Sequence, residues 1–347
     1  MRYFLISVFS FFSTMVGLCA SNESVYKFVT LPNSSAVSAL GGTNISLQNQ
    51  DLNLVFQNPA LLSNEMNNDL VFNYMNYISD VNFGSAGYSH NIDSLSAWAI
   101  EMTYVNYGSF DGYTKDDVST GEFSAGDFAL SAVYSRMLFD RIRAGITLKP
   151  VYSYMDTYNS FGVLVDVGAV YYDKEHDFST GLTLKNVGVQ INGYYSEEDS
   201  QHREDMPWDL QLGVTKRLAH APFRFSLTLV DLSNWDLDYN REKTKSSLSS
   251  LATDSDDDDE IGWFDMTMRH ILIGVEFIPT KNFYVMASYN HRRNREFSLE
   301  DKKSINGFSF GAGLYVYKFN LGFAYSQYAA AGNTLTFSIG TSLDSFK

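Results

Sequence analysis

The densest set of metal-capable oxygens in the chain is the acidic run 254–260, where Asp254, Asp256, Asp257, Asp258, Asp259 and Glu260 surround one serine. Asp254, Asp256 and Asp258 take the first, third and fifth positions of a calcium loop. The sixth position needs glycine but carries Asp259, and the bidentate glutamate of the twelfth is missing. The run reads first as a solvated loop that repels itself, and second as a place where divalent cations bridge to an anionic surface or a partner. The histidines (His90, His176, His202, His220, His270, His291) are scattered, mostly at strand ends. Ser89-His90 sets a nucleophile type beside a base type, at a strand end that reads as the wrong rim for surface hydrolysis. Neither a His-Glu-x-x-His zinc helix nor a phosphate-cradling glycine loop occurs. The expectation is a protein that is not an enzyme and takes no cofactor.

A second group of charges is more orderly. Glu101, Arg143, Lys149, Asp166, Lys185, Arg224 and Glu276 each interrupt a stretch in which apolar residues recur at every second position. Glu101 stands opposite Trp98, Ile100 and Met102, Asp166 opposite Val163, Val165 and Val167, and Glu276 opposite Ile273, Val275 and Phe277. In a strand, alternate side chains point to opposite faces. All seven charges therefore leave one face apolar. They read as a packing network on the polar side, with Lys149 or Arg143 within reach of Asp166. A substrate path is the sharper alternative.

Elements that could carry such a pattern recur along the chain. Of 347 residues 15% are aromatic and only 19% charged, with Pro at 6, a mix that suits strands with aromatic girdles. The net charge of −15 argues against nucleic acid, whose phosphates need a basic surface. Residues 1–20 read as a secretory signal: Arg2, an apolar stretch over 3–18 and cleavage after Ala20. Cys19, the one cysteine, would leave with it. No later stretch approaches the length of a membrane helix, so a closed barrel is the remaining way across a bilayer.

From residue 68 on, period-two segments fall at 70–77, 82–90, 97–107, 127–136, 141–154, 161–172, 178–187, 208–218, 223–231, 270–279, 283–291, 307–317, 319–327 and 334–343. An even number of strands, fourteen, predicts an all-β, antiparallel transmembrane barrel spanning 68–347. A soluble sandwich alternates as well, and the sequence does not tell which face is inside. Links after the third, seventh, ninth and eleventh segments are long, while those after even-numbered ones are short. Outer-membrane barrels have short periplasmic turns and longer extracellular loops, so this parity predicts both termini in the periplasm.

Residues 21–67 do not alternate. Gly41-Gly42 follows a run of small residues, and Asn58-Pro59-Ala60 pairs a helix cap with a proline suited to a first turn. A segment this short cannot bury its own core and is expected to plug the barrel lumen as a hatch.

Here a resemblance becomes specific. Leu31-Pro32, Ala39-Leu40-Gly41-Gly42, Asn58-Pro59-Ala60 and the stretch from Asn73-Tyr74 through Phe83-Gly84 resemble the start of long-chain fatty-acid transporter-like barrels. Within that superfamily, residues 106–112, 121–127 and 158–162 resemble the PorV/PorQ group of the type IX secretion system. The likeness covers about residues 26–190 and continues beyond only as strand pattern. It implies a Bacteroidota outer-membrane component of the cell-surface attachment complex, which joins secreted cargo to anionic lipopolysaccharide. The implied partners are a surface sortase, a PorV-like barrel, a PorZ-like protein, and lipopolysaccharide and membrane lipid. The superfamily also allows a transporter of hydrophobic small molecules, which would need an apolar path from the outer loops into the lumen.

Overall fold

The computed structural model describes residues 24–78, 81–114, 116–194, 203–235, 237, 262–296, 306–329 and 332–347. The expected leader 1–20 and the acidic run 254–260 lie outside them. The strands are β1 (Asp69–Asn76), β2 (Asn82–Asn91), β3 (Ser96–Tyr113), β4 (Ser119–Phe139), β5 (Ile142–Met155), β6 (Tyr158–Asp173) and β7 (Phe178–Asn192). They continue as β8 (Asp209–Arg217), β9 (Phe223–Leu229), β10 (Ile271–Thr280), β11 (Phe283–Asn290), β12 (Phe308–Val316), β13 (Phe319–Ala329) and β14 (Gly332–Ser342). Each pairs antiparallel with the next, and β1 pairs with β14 from Asp69↔Ser342 to Asn76↔Leu335, closing a fourteen-strand barrel.

Burial settles which face is inside. On β14, Leu335, Phe337 and Ile339 are exposed while Thr334, Thr336 and Ser338 are buried. On β6, Asp166 and Gly168 point inward while Phe161 and Val167 point out. Outward Phe, Leu, Val and Tyr side chains recur on strand after strand, a patch far beyond what a soluble monomer leaves in water. The apolar face is the outside, which excludes the sandwich. Among the described residues no helix is long and apolar enough to cross a membrane, which says nothing of strands.

The six short connections lie at one end, where Leu343 N–H donates to the carbonyl of Asn68 at 2.9 Å. The long connections lie at the other. Two expectations need correction. The stretch 108–126, read as a polar loop, is mostly strand: β3 and β4 stay paired from Ser96↔Arg136 to Tyr113↔Ser119 and rise past their neighbours. The polarity of its residues concealed the strand because, out of the barrel, neither face needs to be apolar. The N-terminal part also does not sit at the turn end. Ser24 pairs with Asp205, and Val25 N–H donates to the Asp205 carbonyl at 3.0 Å, in the β7–β8 connection at the loop end. The chain thus runs the length of the barrel interior before β1 begins.

That N-terminal segment holds helix α1 (Ser35–Ala39) and single 3-10 turns at Lys27–Thr30, Leu52–Phe56, Pro59–Leu61 and Asn64–Met66. Its apolar residues find their core on the wall. Val37, Leu40, Leu47, Leu54, Val55 and Leu61 cluster with Val71, Ala99, Val133, Val170, Met286 and Ala324. Nearer the loop end, Tyr26 and Phe28 pack on Met75, Phe83, Val105, Val151 and Leu164.

Candidate functional site in the barrel lumen

The segment is seated by what the wall lacks. Gly145 pairs with Gly168 across β5–β6, and Gly181 with Gly213 across β7–β8. Together they form a trough without side chains. A Cβ on Gly145 would stand 2.5 Å from the Pro59 carbonyl carbon, and one on Gly168 or Gly181 would overlap Asn58 or the Ile45 carbonyl. Into the trough drops the turn that Asn58 organises: its side chain accepts from Ala60 N–H at 3.0 Å and donates to the Ile45 carbonyl at 2.7 Å. Pro59 takes the first helical position, where its missing N–H costs nothing. On the opposite wall α1 lies on β12 and β13, where a Cβ on Gly311 would stand 2.5 Å from Ala39 Cβ. Gly41 and Gly42 end α1 with φ of 94° and 108°, and Gly42 N–H donates to the Val37 carbonyl at 2.9 Å. A side chain would be strained at either φ.

Polar groups then tie segment to wall. Asn33 Nδ2 donates to Glu101 Oε1 at 3.1 Å, and Gln57 Nε2 donates to Asn33 Oδ1 at 3.1 Å. Gln57 Oε1 accepts from Lys185 Nζ at 2.8 Å and from Thr43 Oγ1 at 3.1 Å. A chain of hydrogen bonds thus crosses the lumen from β3 to β7 through Asn33 and Gln57. Lys149 and Asp166 form a separate pair at 2.8 Å, closed by Asn186, whose Oδ1 lies 2.9 Å from Lys149 Nζ and whose N–H donates to Asp166 Oδ1 at 2.7 Å. A β6–β7 register shift between Val165 and Val167 creates this site, with Asn186 at φ 55°. Arg224 pairs with Glu276 across β9–β10. Arg143 does not reach Asp166; it stands nearer the turn end, half-buried beside Val170 and Asp173.

Three larger cavities flank the segment. The one at the loop end, about 380 Å³, is lined by Lys185, Asn186, Asp209, Arg269, Arg292 and Arg293 among others. Those at the turn end hold about 270 and 520 Å³, and neither shares a lining residue with the first. Residues 33–62 occupy the space between. Over the loop end lie helices α2 (Trp263–Arg269) and α3 (His291–Glu296). They are joined at Asp265, which accepts from Arg269 Nε at 3.0 Å, Arg295 Nε at 3.0 Å and His291 Nε2 at 2.7 Å. Burial raises the Asp265 pKa, but the His291 and Arg269 contacts outweigh it and hold the carboxyl below its ordinary value.

The catalytic alternatives find no assembly among the described residues. Ser89 is buried and donates to the Met66 carbonyl, whereas His90 lies on the other face with Nδ1 2.9 Å from Asn68 Oδ1. Residues 307–311 match the spacing Gly-x-Ser-x-Gly, yet Ser309 is an inward ladder residue of β12, not a strand-to-helix elbow. At the β6–β7 turn Asp173, Glu175 and His176 bring ligand atoms within 4.8 Å, but Asp173 is engaged by Arg141 at 3.2 Å and His176 at 2.9 Å. The glycine trough and the linkers Asn33 and Gln57 escaped the sequence reading. The signal present was glycine recurring on the inward face of successive strands.

The same overall fold occurs in solved outer-membrane barrels. A Pseudomonas aeruginosa FadL homologue superposes with a TM-score of 0.52 at 10% identity, over 89% of this chain and 98% of that one. The Ralstonia pickettii toluene transporter TbuX gives 0.54 at 8% identity, over 91% and 99%. At these identities the likeness establishes the fold, that of FadL-like outer-membrane barrels. No family model matches the sequence, and no curated protein does.

Proposed function

We propose that the chain is an anchor and docking platform in the outer membrane, of the PorQ type. In this reading it belongs to the type IX attachment complex of Bacteroidota, beside a surface sortase, a PorV-like barrel and a PorZ-like protein. It spans with its turn end in the periplasm, is exported by its leader, and does no chemistry of its own. The observation that carries docking over transport is the filled lumen: residues 33–62 separate the cavities at the two ends, although the loop-end cavity mixes Lys185, Arg292 and Asp231 with apolar Trp208, Val230 and Leu272. The secretion-system assignment rests on the sequence resemblance of residues 26–190. Lipopolysaccharide is the surrounding outer leaflet in this picture, and the 254–260 run is where cations would bridge to it.

Transport of a hydrophobic small molecule is the second reading, favoured by the fold shared with a toluene transporter. It requires the N-terminal hatch to move. Affinity purification of the tagged protein from detergent-solubilised outer membranes decides between them. Co-purification of a sortase-like protein and a second barrel of this fold supports docking. A lone barrel that binds fatty acid or toluene overturns it in favour of transport.

A further inference from the structure

The β3–β4 arm has no counterpart in the barrel's own requirements. The β2–β3 ladder stops at Asn82↔Asn106, and the β4–β5 ladder begins at Ala125↔Met155. Beyond them residues 107–113 and 119–124 have ladder partners only in each other, projecting roughly 20 Å past the neighbouring strands at about 3.4 Å per residue. Both long edges of this two-stranded ribbon therefore offer backbone groups with no strand partner among the described residues. The register identifies them. Ser124 carbonyl accepts from Asp156 N–H at 3.1 Å, so Ser124 faces β5, and by alternation Glu122 faces the same open edge. Ser109 and Asp111, their cross-strand partners, face the opposite edge.

Isolated two-stranded ribbons are marginal in water, and natural proteins normally blunt such edges. The arm's strand residues 107–113 and 119–124 carry neither lysine nor proline. Phe110 and Phe123 stack at 5.4 Å on one face, and Tyr113 and Val118 near the tip are 60% and 61% exposed. On the other face Asp111 stands directly opposite Glu122, both exposed. Like charges placed so are destabilising within the ribbon itself. The arm carries Asp111, Asp116, Asp117 and Glu122 against Lys115 as its one basic residue. A bulge lies at its base, with Gly108 at φ 85°, the kind of irregularity that bends a strand.

We infer that the β3–β4 arm is a strand-addition site for a basic-edged protein: a partner docks a free β-strand along it, setting Lys or Arg against Asp111 and Glu122. The charge pattern selects this occupant. A second copy of the chain would bring carboxylate to carboxylate, and an anionic lipid surface would be repelled. The inference rests on the docking reading and names its surface; it does not depend on which complex the partner belongs to.

The test uses the full-length protein in the outer membranes of the cells that make it. A benzophenone amino acid is placed at Phe110 or, separately, at Tyr113, with Tyr158 at the start of neighbouring β6 as control; intact cells are irradiated and adducts mapped by mass spectrometry. The expected result is an adduct from both arm sites to one other protein, within an edge strand bearing Lys or Arg, and none from Tyr158. Glu122→Pro, which removes an open-edge donor, and the pair Asp111→Lys and Glu122→Lys should each lower its yield about tenfold, the effect of some 1.4 kcal/mol. Heat-modifiable migration should stay unchanged, showing the barrel intact. An adduct to a second copy, adducts to lipid only, no adduct, or a yield indifferent to these substitutions overturns the inference. If arm adducts form as expected but no sortase-like protein co-purifies, the attachment-complex assignment falls and the docking surface stands.

Discussion

Substituting Gly145→Ala tests whether the glycine trough seats the N-terminal segment. The added methyl would stand 2.5 Å from the Pro59 carbonyl carbon, 2.6 Å from its oxygen and 2.9 Å from Ala60 N. These are backbone atoms that cannot rotate aside. Overpacking of this kind costs about 1–3 kcal/mol. Displacing the turn also strains the Asn58–Ala60 and Asn58–Ile45 hydrogen bonds, each contributing about 1 kcal/mol. A total near 3 kcal/mol falls on the seating of the segment, while the β4–β5–β6 ladder stays paired. Because the chain has Cys19 as its one cysteine, a Cys19→Ser, Ser46→Cys background offers a clean reporter at a buried position of the same segment. Labelling of Cys at position 46 by a soluble maleimide should accelerate about a hundredfold when Gly145→Ala is added. Heat-modifiable migration should be retained. A labelling rate unchanged within about twofold would refute the trough as the seat, and loss of the heat-modifiable form would show that Gly145 serves the wall itself.

Two further outcomes follow from the polar contacts. Lys149→Met leaves Asp166 buried without its cation and should destabilise the barrel by about 3–5 kcal/mol, whereas adding Asp166→Leu should recover much of the loss; the temperature at which the compact form disappears on semi-native gels reads both. Asp265 has its folded pKa depressed, so its contribution is present above its unfolded value of about 3.9 and lost as pH falls through the lower folded one. Hydrogen-exchange protection of 263–269 should therefore be constant from neutral pH to about pH 5 and fall below about pH 4. Asp265→Asn should abolish that dependence and lower protection throughout.

Much of the wall was legible because lipid imposes a strict code. A strand between bilayer and lumen must alternate, so Glu101 and Asp166 marked the face opposite the apolar one, which burial then made the inside, and the parity of connections ordered the two ends. Where the code lapses, so did the reading. The stretch 108–126 read as loop because its paired residues beyond the barrel have water on both sides and carry no alternation. The segment 24–66 is packed on all sides by residues distant in sequence, so its turns could be anticipated from Asn58-Pro59 but its path could not. Its seat is written in absences, and glycine on one strand gains meaning only beside glycine on the next. Lys149–Asp166 was in reach because the two lie on neighbouring strands. The Asn33–Gln57 link from Glu101 to Lys185 was not, since both ends depend on where the segment lies.

The path of that segment bears on how the barrel is assembled. The seam joins β1 to β14, strands at opposite ends of the chain, and bringing them together carries the largest loop-closure entropy in the molecule. Inside, the 3-10 turn Leu52–Phe56 touches β1 and β2, whereas α1 (Ser35–Ala39), earlier in the same segment, touches β12, β13 and β14. The segment therefore grips both sides of the seam at once. A splint so placed would hold the two edges in register while the last ladder zips, giving the chain its own closing template.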